Sequence, residues 1–167
     1  LGSETLRLLA RRHSLTWKRG KGAFLYARWD FAGSEITLLE PLTYMNDSGR
    51  ALEEYGGVDP ESLLVICDDM SLPLGRMRIR AGGGSGGHLG LESVIASLGT
   101  ERFARMRLGI GSPPPGIDWS EFVLLPFLDE ERDSVKELLV SAADALETIA
   151  ANGLDQAMQA YNRRPPE

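Results

Sequence analysis

Two adjacent carboxylates, Asp68 and Asp69, close an apolar run at Leu63–Ile66, and a turn through Pro73 and Gly75 then leads into Arg76, Arg78 and Arg80. A glycine-rich loop, Gly82–Gly87, follows and brings His88 to the start of a helical stretch. An acid at the end of a buried strand, a basic ribbon and a glycine loop beside a histidine suit a phosphate-bearing substrate. Open α/β sheets gather ligands beyond the carboxyl ends of their strands, where Asp68 and Asp69 fall. An Asp after a strand also serves simply to form a turn. A metal pair fits less well, since hard cations take several oxygen ligands and no other acid cluster lies nearby in sequence.

Gly82–Gly87 formally contains G-x-G-x-x-G. A dinucleotide fingerprint needs an apolar strand before it, whereas this strand carries arginines, and no Walker lysine follows. The glycines are better read as letting a substrate backbone come close, with an anion-favouring helix N-terminus beyond. A plain strand-to-helix connection is the alternative. His88 is a candidate hydrogen-bonding group at a helix start, where the dipole disfavours positive charge. Asn46, in Leu42-Thr43-Tyr44-Met45-Asn46, either caps locally or presents an amide beside Tyr44 to a peptide or an adenine ring. Arg78 and Arg80 share one strand face and are placed to hold phosphates without reading bases, unless they are an ordinary solvated face. His13, at an arginine-rich helix end, reads as solvated.

The elements that must position these groups follow from periodicity. Leu6, Leu9 and Ala10 mark a helix over Glu4–His13, with Arg11 and Arg12 in its last turn. Strands are predicted at Ala23–Trp29 and Glu35–Leu39, joined by a hairpin loop at Gly33-Ser34. Thr43 is placed to cap a helix running towards Tyr55. Leu63–Cys67 reads as a central strand covered on both faces, Arg76–Arg80 as a half-exposed one, and Met106–Ile110 as another. Helices are predicted over Leu89–Leu98, over the stripe Val135, Leu138, Leu139, Ala142, Leu146 and Ile149, and over Leu154–Tyr161, with Asn152-Gly153 as a left-handed stop. The class is α/β: a single domain over 1–162 with a twisted mixed sheet flanked by helices, and 163–167 a frayed tail.

The 167-residue chain, with 43% hydrophobic residues, can bury a full core without staples. No apolar run approaches the roughly 20 residues needed to span a bilayer, so no membrane partner is expected. A single cysteine, Cys67, fits a reducing cytoplasm. The net charge of −6 argues against indiscriminate adhesion to nucleic acid. The six arginines between 76 and 107 nevertheless form a local basic cluster compatible with an RNA substrate that is released after turnover.

Four stretches, in order, resemble the bacterial peptidyl-tRNA hydrolases: Leu38 to Gly49 (family pattern K-P-x-T-[FY]-M-N-x-S-G), Cys67 to Gly75 (H-D-[DE]-x-D-[LI]-P-x-G), Gly82 to Leu91 (G-G-x-x-G-G-H-N-G) and Arg105 to Gly111 (R-[LI]-R-[LI]-G-[IV]-G). The resemblance implies that fold, and cleavage of the ester joining a peptide to the 3′ end of tRNA. It implies recycling of tRNA from stalled translation in the cytoplasm, by a monomer needing neither metal nor cofactor. Asp68 matches the aspartate that orients the family's base histidine. Tyr44 and Asn46 match substrate-contacting positions, Arg78 and Arg80 basic positions that meet tRNA phosphate, and His88 the histidine of the glycine loop. Leu89 stands where the family has asparagine, and leucine offers no amide hydrogen bonds.

Leu1-Gly2 resembles the end of the family's H-N-x-G motif. On that alignment the base histidine, an asparagine and a central first strand lie upstream of residue 1. The expectation is then a nearly inactive chain, lacking general-base catalysis worth about 10²–10⁴-fold, with two strand ladders left unpaired. The first alternative is a non-catalytic RNA-binding member of the fold. A nucleotide-dependent enzyme using Gly82–Gly87 is the second.

Overall fold

A computed structural model describes residues 1–162; the tail expected at Arg163–Glu167 lies outside them. Helix α1 (Gly2–Arg12) buries Thr5, Leu9 and Ala10, and carries Glu4 in its first turn and Arg11 and Arg12 in its last, as the helix dipole favours. A two-residue strand, β1 (Lys18–Arg19), pairs with β2 (Phe24–Phe31), which pairs antiparallel along its length with β3 (Ser34–Pro41). Ala32 and Gly33 both take positive φ in the hairpin loop, the geometry that matches the twist of two-residue hairpins. The loop therefore sits one residue before the predicted Gly33-Ser34.

The helix predicted from Thr43 starts later. A 3-10 turn at Met45–Asp47 precedes α2 (Ser48–Tyr55), and Thr43 caps neither. Beyond a second 3-10 turn at Pro60–Ser62 come β4 (Leu64–Asp69), β5 (Met77–Arg80), α3 (Leu89–Leu98) and β6 (Ala104–Gly109). β4 runs parallel to β6 and β5 antiparallel to it, giving the order β4-β6-β5. Four-residue α4 (Trp119–Phe122), held at its start by Asp118, was not anticipated. A 3-10 turn at Asp129–Glu131 leads to α5 (Arg132–Asn152), which ends at Gly153, φ 89°, and α6 (Leu154–Tyr161) follows.

The mixed α/β class is therefore observed, with the strands divided between two three-stranded sheets. One core unites α1, α5 and both sheets: Leu9, Trp29, Leu38, Ile79, Met106, Leu108 and Leu138 are all buried. Each such side chain contributes about 1.5–3 kcal/mol on leaving water. The second core, on the other face of β4 and β6, joins Cys67 and Phe103 to Leu91 and Val94 of α3. Gly49 sets the approach of α2 to α3. A β-carbon there would lie 2.3 Å from the Ser93 carbonyl oxygen, and the Gly49 N–H donates to Ser93 Oγ while Ser97 Oγ donates to the Gly49 carbonyl.

Among the described residues, β3 and β4 each have one side without a strand neighbour. Both border a cavity of about 570 Å³, lined by Leu6, Ile36, Leu38, Leu64, Ile66 and Ile149 along its apolar part. Asp68, His88, Met45 and Thr43 also line it.

Candidate active site

Strand alternation separates the two carboxylates, because successive side chains on β4 point to opposite faces. Asp69 faces the arginines of β6: Arg107 Nη1 donates to its Oδ2 at 3.2 Å, and the Ser71 N–H and hydroxyl donate to its Oδ1. Burial acts to raise the Asp69 pKa, but the Ser71 and Arg107 donors outweigh it and hold the carboxyl below its ordinary value. Asp68 faces the cavity, with His88 Nε2 3.6 Å from its Oδ1. Burial again acts upwards. The facing imidazole and the backbone N–H of Asp68 outweigh it, so this carboxyl too is held below its ordinary value. Both acids are thus ionised near neutral pH, with different partners.

His88 is the N-cap of α3. Its Nδ1 accepts the Leu91 N–H at 3.2 Å, so a neutral ring carries its proton on Nε2, directed at Asp68. The helix start expected to receive an anion is therefore partly occupied by the protein's own imidazole. Nδ1 is thus taken by the Leu91 N–H, while Nε2 faces Asp68 at 3.6 Å, within ion-pair reach but longer than a hydrogen bond.

The glycine loop is held by two arginines. β5 and β6 place Arg78 opposite Arg107 and Arg80 opposite Arg105, an arrangement of like charges that costs stability unless the cations find partners. Arg105, almost wholly buried, donates to the carbonyls of Gly84 and Glu101 at 2.9 Å and stacks over Phe103, 4.5 Å from the ring centroid. Burial, and then the charge of Arg107, lower the pKa of its guanidinium. Arg107 donates to the carbonyls of Gly84 and Ser85 as well as to Asp69. Carbonyl contacts of this kind, made about twenty residues away in sequence, leave no local pattern. Arg78 and Arg80 remain exposed, and among the described residues neither has an ion-pair partner. The loop connects this basic face to His88 and Asp68.

Tyr44 and Asn46 are exposed on the chain entering α2, Asn46 within the 3-10 turn, and Leu89 is exposed at the start of α3. Met45 bridges the two: a β-carbon on Gly90 would stand 2.7 Å from its sulfur and 2.9 Å from His88 Cε1. Residues 43–46 and 88–90 therefore form one lip beside Asp68. Thr43 joins it unforeseen, with a buried hydroxyl that has no hydrogen-bond partner among the described residues. His13, read as solvated, instead faces Glu147 Oε1 at 2.9 Å and packs against Trp29 and Phe31, tying α1 to α5. Among the described residues no group of three or more His, Cys, Asp or Glu side chains could hold a metal ion, and no helix is long and apolar enough to cross a membrane.

The family model described as peptidyl-tRNA hydrolase matches residues 1–167. The chain is 39% identical over 166 residues to the peptidyl-tRNA hydrolase of Chloroflexus aggregans, covering 97% of this chain and 88% of that one. It is 42% identical over 152 residues to that of Thermotoga petrophila, covering 89% and 81%. The crystal structure of peptidyl-tRNA hydrolase from Acinetobacter baumannii superposes with a TM-score of 0.88 at 28% identity, over 98% of this chain and 85% of that one. The expected inactivity finds no support in these similarities, nor do they favour the non-catalytic binder.

Proposed function

The chain belongs to the peptidyl-tRNA hydrolase family, a family of ester hydrolases, and from that premise we propose that it hydrolyses the ester between a peptide, or an N-blocked amino acid, and the 3′ end of tRNA. The observation that carries the reading is Asp68, kept ionised at the edge of the cavity and facing His88 at 3.6 Å. The glycine loop leads from this pair to the exposed arginines of β5.

In this reaction water adds to the ester carbonyl, the bond to the ribose 3′ oxygen breaks, that oxygen leaves with a proton, and the peptide departs as an acid. Asp68 supplies the fixed negative charge that orients and stabilises the histidine base the family resemblance implies, which takes the water's proton; His13, facing Glu147, and His88, whose Nδ1 accepts the Leu91 N–H, are engaged elsewhere. His88, through the Leu91 N–H and Asp68, keeps that carboxylate in place. Tyr44 and Asn46 hold the acyl end of the substrate from one side of the lip. Arg78 and Arg80 hold the tRNA backbone, a contact that positions without selecting sequence. The pinned loop beneath them fixes the distance between phosphate grip and ester, and such positioning is itself a large part of catalysis.

The test is release of labelled N-acetyl-amino acid from its tRNA, with the uncatalysed loss subtracted. Saturable release supports the assignment. Binding of the tRNA with no release in excess of the uncatalysed rate contradicts it.

A further inference from the structure

Large apolar side chains crowd the surface between β6 and α5. Trp119, Val123, Leu124, Leu125 and Leu128 are all exposed, Leu124 at 82%, Leu128 at 59% and Trp119 at 56%. Single exposed apolar residues need no explanation, whereas a run of large ones marks an interaction surface. No other helix or strand packs broadly on α4. Phe122 and Phe127 are half-buried, which leaves the five exposed side chains without a use in the fold. Among the described residues, none of 117–128 lines the cavity beside Asp68. We propose that residues 119–128 dock a basic amphipathic helix of a partner protein.

Charge identifies the occupant. Between residues 117 and 137 stand seven acids against two bases, a net of −5 in a chain whose total is −6. The two bases, Arg132 and Lys136, are taken up by Asp129 and Asp133. Glu121, Glu130 and Glu137 are exposed, and among the described residues they have no ion-pair partner. Such a rim repels RNA and anionic lipid, and attracts lysine and arginine side chains that flank an apolar stripe. Backbone geometry identifies the shape. The N–H groups of Phe122, Val123, Leu124 and Leu125 already donate to carbonyls of residues 118–122. The segment offers no strand edge, so recognition runs through side chains, as when a helix lays its apolar face on an apolar surface. Five side chains suit one helix and a transient contact, below the roughly 800 Å² per partner of a standard complex.

The experiment titrates the full chain with a short amphipathic helical peptide of leucine and lysine, and with the same peptide carrying glutamate for lysine. Trp119 reports binding, because its exposed indole shifts its emission to shorter wavelength when covered. The expected result is saturable binding of the lysine peptide, weakened by salt, and none of the glutamate peptide. Leu124→Ser with Leu128→Ser keeps every charge and should lower the affinity by about tenfold or more. Glu121→Lys with Glu130→Lys should weaken the lysine peptide while leaving the apolar side chains in place. All four changes fall on exposed side chains, and thermal melting of each variant confirms that the fold is retained. No binding, equal binding of the two peptides, or undiminished binding by the serine variant would overturn the proposal, the last showing charge attraction alone. A dimer of the chain that the serine variant disperses would assign the patch to a second copy instead. Loss of tRNA ester release in the serine variant without loss of peptide binding would assign it to the substrate. Either result overturns the proposal and leaves the hydrolase reading intact.

Discussion

Asn162 closes the outer side of β5 at Ile79. Its Oδ1 accepts the Ile79 N–H at 2.7 Å, and its Nδ2 donates to the Ile79 carbonyl at 2.8 Å. A single side-chain amide thus takes the place of a neighbouring strand on an edge that would otherwise invite foreign pairing. Ile79 is buried between Arg78 and Arg80, so the residue just after α6 fixes the middle of the basic strand. Asn162→Ala is expected to cost about 1–3 kcal/mol by leaving a backbone donor and acceptor unpaired, read as a lower denaturation midpoint. Asn162→Asp, which keeps the acceptor and loses the donor, should fall between the two. An unchanged midpoint in the alanine variant would show that the clamp carries no stability.

The exposed pair on that strand should govern salt dependence. Replacing Arg78 or Arg80 with Ala is expected to weaken tRNA binding to a similar degree for different tRNAs. Each replacement should also lower the slope of log affinity against log salt by about 1. Titration of labelled tRNA at several salt concentrations measures both. An unchanged slope in the double variant would remove these arginines from the phosphate contacts.

Asp69 should make the glycine loop acid-sensitive. Its carboxyl is held below the ordinary value in the folded chain, so its contribution is present at neutral pH and is lost as pH falls below about 4 through the folded pKa. Asp69→Asn lacks that contribution. The stability gap between the two proteins should therefore be widest near pH 7 and narrow in acid, measured as melting temperature against pH. A gap that stays constant down to pH 3 would contradict the ion pair with Arg107.

Gly49 should resist any side chain. Its missing β-carbon allows α2 to lie against the Ser93 carbonyl, and overpacking of this kind typically costs about 1–3 kcal/mol. Gly49→Ala is expected to lower the melting temperature and, by moving the turn at Met45–Asp47, to raise KM. A variant with unaltered stability would mean that the helices separate freely.

Elements with strong local signals were legible in the chain. α3 and α6 occupy the residues predicted for them, because each is bracketed by stop signals and carries an apolar face. Alternation placed Arg78 and Arg80 on one face of β5. The acid at the end of β4 and the histidine of the glycine loop were legible as types, but their 3.6 Å pairing depends on how the loop folds back. The carbonyl contacts of Arg105 and Arg107, the ion pair of buried Glu40 with Arg7 across 33 residues, and the amide clamp of Asn162 are long-range and leave no spacing rule. Thr43 misled because a hydroxyl before an apolar run usually caps a helix. Here the chain makes a 3-10 turn first, and that hydroxyl is buried without a hydrogen-bond partner among the described residues.

The central claim is that the ester hydrolysis depends on the charge of Asp68. The most direct measurement is the rate of release of N-acetyl-amino acid from tRNA by the chain and by Asp68→Asn, with tRNA affinity measured in parallel. The account expects the variant to bind tRNA within about threefold of the parent while kcat falls by about 10²-fold or more. Equal release by both proteins would contradict it, and would place the chemistry on another group.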